Sequence, residues 1–172
     1  MIRKARTSDI DSIACIYEKI HDKIQEGQLS VGWIRGVYPT ADTVRMALER
    51  GDIFVFENDG KVLASAIINQ IQVPEYADGN WEYNAPDDKI MVLHTLTVDP
   101  DTAKAGIGSQ FVNFYEEYAR EHACTLLRMD TNKINTVARK FYAKLGYHEA
   151  GIVPCVFNGI PDVGLVLLEK LL

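Results

Sequence analysis

The stretch DPDTAKAGIGSQF, residues 99–111, follows the apolar run IMVLHTLTV at 90–98 and carries Gly106 and Gly108 one residue apart. It reads as a strand handing over to a helix through a glycine loop. That junction constrains the fold more than any other feature, because a strand feeding a helix belongs to a layered α/β architecture rather than to a bundle or a sandwich. It also raises a chemical question, since glycines at a helix start admit a close neighbour that a side chain would exclude.

The chain has 172 residues, 47% of them hydrophobic, enough to bury a full core as a single domain over 1–172. No run of about 18 apolar residues exists, which argues against a membrane partner or span. The start MIRKARTSDI lacks the apolar stretch of a secretory leader. Cys15, Cys124 and Cys155 are odd in number and widely spaced, a usage that suits a reducing cytosol, so a cytoplasmic protein is expected. Neither they nor His21, His94, His122 and His148 show a metal-ligand spacing, and no metal is expected. The formal charge of −6 argues against nucleic acid as a partner and is compatible with a cationic substrate.

IRKA opens the chain as a short strand. Ile10, Ile13, Tyr17, Ile20 and Ile24 recur at spacings of three and four, the apolar face of a helix with Thr7 or Ser8 as its cap. Residues 26–39 hold three glycines and a proline and read as a long loop, followed by a short helix over 40–50. DIFVFE and KVLASAIINQI flank NDGK, a hairpin signal. A second long loop covers 73–88. Then come the strand through Val98, a helix from about Gly106 to His122, the strand CTLLRMD, a helix over 135–145, and two strands joined at NGIP. The order βααβββαβαββ predicts an α/β domain whose sheet mixes hairpins with helical crossovers.

Two readings of the glycines stand side by side. Backbone N–H groups at a helix start make an anion site, to which Lys104 adds a charge and Ser109 a hydroxyl. Alternatively, the pair serves a turn that needs positive φ, followed by close helix–strand packing. A dinucleotide fingerprint fails at Phe111, where a third glycine is required, and the G-K-S/T ending of a P-loop is missing.

At this point the sequence resembles the GNAT superfamily of N-acyltransferases. The family signature (Arg or Gln, two residues, Gly, one residue, then Gly or Ala) aligns with Ala103-Lys104-Ala105-Gly106-Ile107-Gly108. LTVDP precedes it as in that family, and NTVARKFYAKLGYHEAG is similar to the family's N-x-x-A-x-x-x-Y-x-x-x-G-F/Y stretch. The element order matches over essentially the whole chain. Ala103 departs from the signature, so that position offers no charged or amide side chain.

The resemblance implies a mixed, mostly antiparallel central sheet of about seven strands flanked by about four helices. It implies acetyl-CoA as co-substrate, its pyrophosphate on the backbone amides of Lys104, Ala105, Gly106, Ile107, Gly108 and Ser109. The pantetheine arm would run beside Leu96, Thr97 and Val98. Homodimers are frequent in the family. Asn135 and Tyr142 lie seven residues apart, on one helix face and about 10 Å apart along its axis. The resemblance makes Asn135 a cofactor contact and Tyr142 the group beside the thioester sulfur; otherwise Asn135 is a helix cap and Tyr142 part of an apolar face with Ala138, Phe141 and Leu145.

Acceptor recognition falls to the long loops. PEYADGNWEYNAPDD holds Glu75, Asp78, Glu82, Asp87 and Asp88 with no basic residue, interleaved with Tyr76, Trp81 and Tyr83. Carboxylates and aromatic rings are what a pocket for an amine would use, with Trp33 and Tyr38 as an opposite wall. A solvated loop with its aromatics tucked onto the core is the alternative. The expected chemistry is acetyl transfer to a primary amine of a small molecule or peptide by direct attack. Tyr142 protonates the leaving thiolate. The base is His94, or Glu82 through a water, or a water chain that needs no base. A non-catalytic acyl-CoA-binding or sensing module is the competing expectation, and it would need no proton donor at 142.

Overall fold

The computed structural model describes residues 1–102 and 105–172. Its elements are β1 (Ile2–Lys4), α1 (Ile10–Gln25), α2 (Ala41–Arg50), β2 (Ile53–Asn58), β3 (Lys61–Asn69), β4 (Ile90–Val98), α3 (Ile107–Glu121), β5 (Leu126–Asn132), α4 (Thr136–Lys144), β6 (His148–Phe157) and β7 (Ile160–Leu171). The seven strands form one sheet in the order β1-β2-β3-β4-β5-β7-β6. β4 and β5 run parallel, whereas β1–β2, β2–β3, β5–β7 and β6–β7 are antiparallel. The mixed α/β architecture and the element order are those the sequence predicts.

The backbone divides into two compact units. Unit one comprises residues 1–29, 33–68 and 94–115. Its core gathers Ile13 and Tyr17 of α1, Val44 and Ala47 of α2, and Ile53, Val55 and Ile67 of the hairpin. Full burial of each large aliphatic side chain stabilises the fold by about 1.5–3 kcal/mol, which is why the spacing of three and four in α1 becomes its packed face. Thr40 caps α2 through a box with Thr43, and Gly51 ends it at a left-handed φ of 73°. Asp59 and Gly60 both have positive φ, the geometry a two-residue hairpin turn demands. The start of α1 differs from expectation. Thr7 and Ser8 form a 3-10 turn with Asp9, and it is the Asp9 carboxylate that accepts the Arg6 amide at 2.7 Å and pairs with Arg3.

Unit two comprises residues 30–32, 69–93 and 116–172. The β4–β5 ladder spans Ile90↔Leu126 to Leu93↔Met129, and β5 pairs with β7 along its whole length. Leu126, Leu127, Met129 and Leu165 to Leu168 are buried there. The 73–88 segment is less irregular than the sequence suggests, since it contains 3-10 turns at Pro74–Asp78 and Asp87–Lys89. Pro74 opens the first of them, its fixed φ preset for such a turn.

Candidate active site

In unit one, β4 leads through a 3-10 turn at Pro100–Thr102 toward α3. Gly106 has a left-handed φ of +71°, and a Cβ built there would meet nothing within 4 Å among the described residues. Backbone conformation rather than packing therefore calls for glycine, and the space beside it is open. The first-turn amides of a helix have no acceptor in their own helix, which suits the stretch Gly106, Ile107, Gly108 and Ser109 to an anion. The Ala105 amide differs, because it donates to the Thr102 carbonyl at 3.3 Å. Lys104 and Ala103 lie outside the described residues.

Leu96 and Val98 are half-buried on β4, while the buried Thr97 hydroxyl bonds Ser65 on β3 at 2.8 Å. Thr95 has a φ of 51° inside the strand, rare for a β-branched residue. Its hydroxyl bonds Tyr38, whose ring meets Trp33 edge-on at 6.1 Å. Trp33 and Tyr38 are thus brought together, and Tyr38 is tied to β4. His94 is half-buried on the same strand.

In unit two, Asn135 caps α4, its side-chain oxygen accepting the Ala138 amide at 3.1 Å. Tyr142 lies two turns later, buried, with Tyr147 edge-on at 5.9 Å. Burial, and then the charge of Asp130, hold its phenol well above the ordinary tyrosine value. Asp130 on β5 accepts the Tyr76 hydroxyl at 2.8 Å. Desolvation pushes its carboxyl up to about 6, opposed by the Tyr76 hydrogen bond and helped by the nearby charge of Glu75. Asp130 thus holds the Tyr76 hydroxyl and lies near enough for its charge to act on the Tyr142 phenol. Sequence reasoning missed Asp130, although a carboxylate ending the apolar run CTLLRMD was the signal.

Arg128, Glu169 and His148 form a row across three strands: Arg128 faces Glu169 on β5–β7, and Glu169 faces His148 on β7–β6. This row holds the 73–88 loop. Arg128 donates to the Tyr83 carbonyl at 3.0 Å and to Gln72 at 2.5 Å. The fully buried Glu169 carboxylate accepts the Glu82 amide at 2.6 Å. His148 sits 3.3 Å from the Glu82 carboxylate and edge-on to Tyr83. Trp81 stacks beneath the Arg128 guanidinium, 3.9 Å from its ring centroid, and donates to the Tyr76 carbonyl. The cation over that indole is therefore the chain's own.

Residues 21–147 match the model of the acetyltransferase (GNAT) family. The chain belongs to that family. An uncharacterized N-acetyltransferase of Methanocaldococcus jannaschii is 26% identical to this GNAT chain over 155 residues, 88% of this chain and 62% of that protein. The chain thus spans less than two thirds of that relative's length. A GNAT-family acetyltransferase of Streptococcus agalactiae superposes with a TM-score of 0.81 at 21% identity, over 100% of this chain and 95% of that one. The ribosomal-protein-alanine N-acetyltransferase of Brucella melitensis gives 0.72 at 18% identity, over 100% and 99%. At such identities the likeness establishes the fold. Among the described residues of the GNAT chain, no helix is long and apolar enough to cross a membrane, and no group of three or more His, Cys, Asp and Glu could hold a metal.

Proposed function

We propose that the protein transfers an acetyl group from acetyl-CoA to a primary amine, with Tyr142 as general acid and Asp130 as general base. The observation that carries this reading is the placing of Tyr142 within reach of the Asp130 charge in one unit, in environments that leave them in opposite protonation states near neutrality. The phenol keeps its proton and can give it to the departing thiolate. The carboxyl, at about 6, is mostly ionised at pH 7 and can take a proton from the amine. Such environmental separation of roles is how one site runs acid and base chemistry together.

On the donor side, the left-handed Gly106 and the first-turn amides of α3, which a helix leaves without acceptors of its own, support a diphosphate there. The half-buried Leu96 and Val98, on either side of the buried Thr97, are where the pantetheine arm would run. When bound, acetyl-CoA supplies the thioester that the amine attacks; the protein orients it and moves protons. Asp130 is proposed in the role that sequence reasoning left between His94, Glu82 through a water, and a water chain, because it is a buried carboxylate near Tyr142, whereas Glu82 is exposed and engaged with His148. Tyr83 in unit two, and separately Trp33 and Tyr38 in unit one, remain candidates for acceptor contacts.

A panel of amines with acetyl-CoA, followed by free-thiol release, tests the activity. Tyr142→Phe should cut kcat by about 10²–10⁴ with little change in acetyl-CoA Kd. Asp130→Asn should abolish the acidic limb of kcat/KM, whose midpoint is expected at about 6. Loss of that limb in His94→Ala instead would move the base to β4. Normal turnover by Tyr142→Phe would reduce Tyr142 to packing.

A further inference from the structure

Lys19 lies on α1, beside its apolar face, and reaches across unit one to the turn that follows β4. Its ammonium is 3.0 and 2.8 Å from the two Asp99 carboxylate oxygens and 2.7 Å from Asp101. Asp99 is buried and works as a hub. Its amide donates to the Leu63 carbonyl at 2.8 Å, its carboxylate accepts the Asp101 amide at 3.0 Å, and its carbonyl accepts both the amide and the hydroxyl of Thr102. The Thr102 carbonyl in turn accepts the Ala105 amide, at the threshold of the glycine stretch. A continuous chain of hydrogen bonds therefore runs from the Lys19 ammonium to the residue before Gly106. Lys23, one turn on, is occupied by Glu26 at 3.0 Å.

This turn presents two carboxylates within a few residues of a stretch suited to an anion. Uncompensated, they would repel a diphosphate, and a flexible turn would leave the amides poorly aimed. We infer that Lys19 is a positioning residue for the donor site: it clamps Asp99 and Asp101, fixes the approach to Gly106, and cancels negative charge beside the diphosphate. Lys19 touches no reacting atom. The inference rests on the donor reading above, and it extends that site to a residue on a different element. The ion pairs raise the Lys19 pKa and lower that of Asp101, so the clamp stays charged across the neutral range.

The test is calorimetric Kd for acetyl-CoA, with kcat and both KM values, for wild type, Lys19→Met, Lys19→Arg and Lys19→Met with Asp101→Asn. Lys19→Met should raise acetyl-CoA Kd about tenfold while kcat at saturating donor stays within about twofold. Lys19→Arg should restore affinity, and Asp101→Asn should recover part of the loss by removing an unpaired charge. The second donor is S-acetylpantetheine, which has the thioester but no diphosphate; its KM should not respond to Lys19→Met. Equal acetyl-CoA affinity in wild type and Lys19→Met would overturn the inference, as would an equal loss with S-acetylpantetheine. A wild type that binds no acetyl-CoA would instead overturn the donor reading, and this inference with it.

Discussion

Asp99–Thr102 in unit one and residues 73–88 in unit two both carry carboxylates and flank stretches expected to meet substrate, yet they are held in opposite ways. The first is clamped by one lysine whose side chain is 35% exposed. The second is pinned from beneath by Arg128 and the fully buried Glu169. Their glycines repeat the contrast. Gly106 needs its left-handed backbone and has open space beside it. Gly79 has ordinary extended backbone, but a Cβ there would sit 2.5 Å from the Trp81 indole nitrogen and 2.6 Å from Leu167. Gly106 is spared crowding by the described residues, and Gly79 is packed. Removing a half-exposed cation from its ion pairs is expected to cost less stability than removing one charge from a fully buried row.

The largest effect expected from this contrast belongs to Glu169→Gln. Removing the charge of the fully buried Glu169, which accepts the Glu82 amide and faces Arg128 and His148, should cost about 3–5 kcal/mol, lowering Tm by roughly 10 °C. Lys19→Met should cost under about 1 kcal/mol in the same denaturation experiment. Equal losses would erase the distinction between the two loops.

Gly79→Ala comes next, at about 1–3 kcal/mol from overpacking against Trp81. Gly106→Ala should cost about 1–2 kcal/mol, from left-handed strain alone. The fluorescence of Trp81 sharpens the comparison, since it should change in Gly79→Ala and stay as in wild type in Gly106→Ala. Gly108→Val should act on binding instead, weakening acetyl-CoA more than about tenfold by calorimetry while the fold survives.

Protonation gives a third comparison. Lys19 pulls the Asp101 carboxyl below its ordinary value, whereas Asp130, desolvated and near the charge of Glu75, is raised from 3.8 to about 6. The folded state therefore holds the Asp130 proton more tightly than the unfolded chain. Stability from that group is full below about 3.8 and is lost as pH rises through 6. Tm of Asp130→Asn relative to wild type should accordingly climb between pH 4 and pH 7. A difference that stays flat with pH would show that the carboxyl is not raised.

Glu82→Gln should have the smallest effect, a rise of about threefold or less in acceptor KM that added salt diminishes. Its carboxylate is exposed and shared with His148, and a larger effect would place the acceptor's charge against this loop.

Element order was legible because it rests on local causes. The α1 face is written in the spacing of its isoleucines, the hairpin in Asp59 and Gly60, the α2 start in Thr40. Gly106 and Tyr142 stood out because each belongs to a spaced motif. Asp130, Arg128 and Glu169 did not, although each is a charge embedded in an apolar strand. Nothing local says whether such a residue points at solvent, at a partner or at a substrate.

The sequence by itself determined where strands and helices form, which faces they bury, and which family the chain belongs to, because backbone sterics and apolar periodicity act over a few residues. Only the tertiary structure decided which charges meet. Lys19 and Asp99 are 80 residues apart in the chain, and Glu82 and Glu169 are 87 apart. β7 lies between β5 and β6 in the sheet, so Glu169 stands between Arg128 and His148. Coulomb energy and desolvation depend on distance in space and on exclusion of water, and both are set only when distant segments pack.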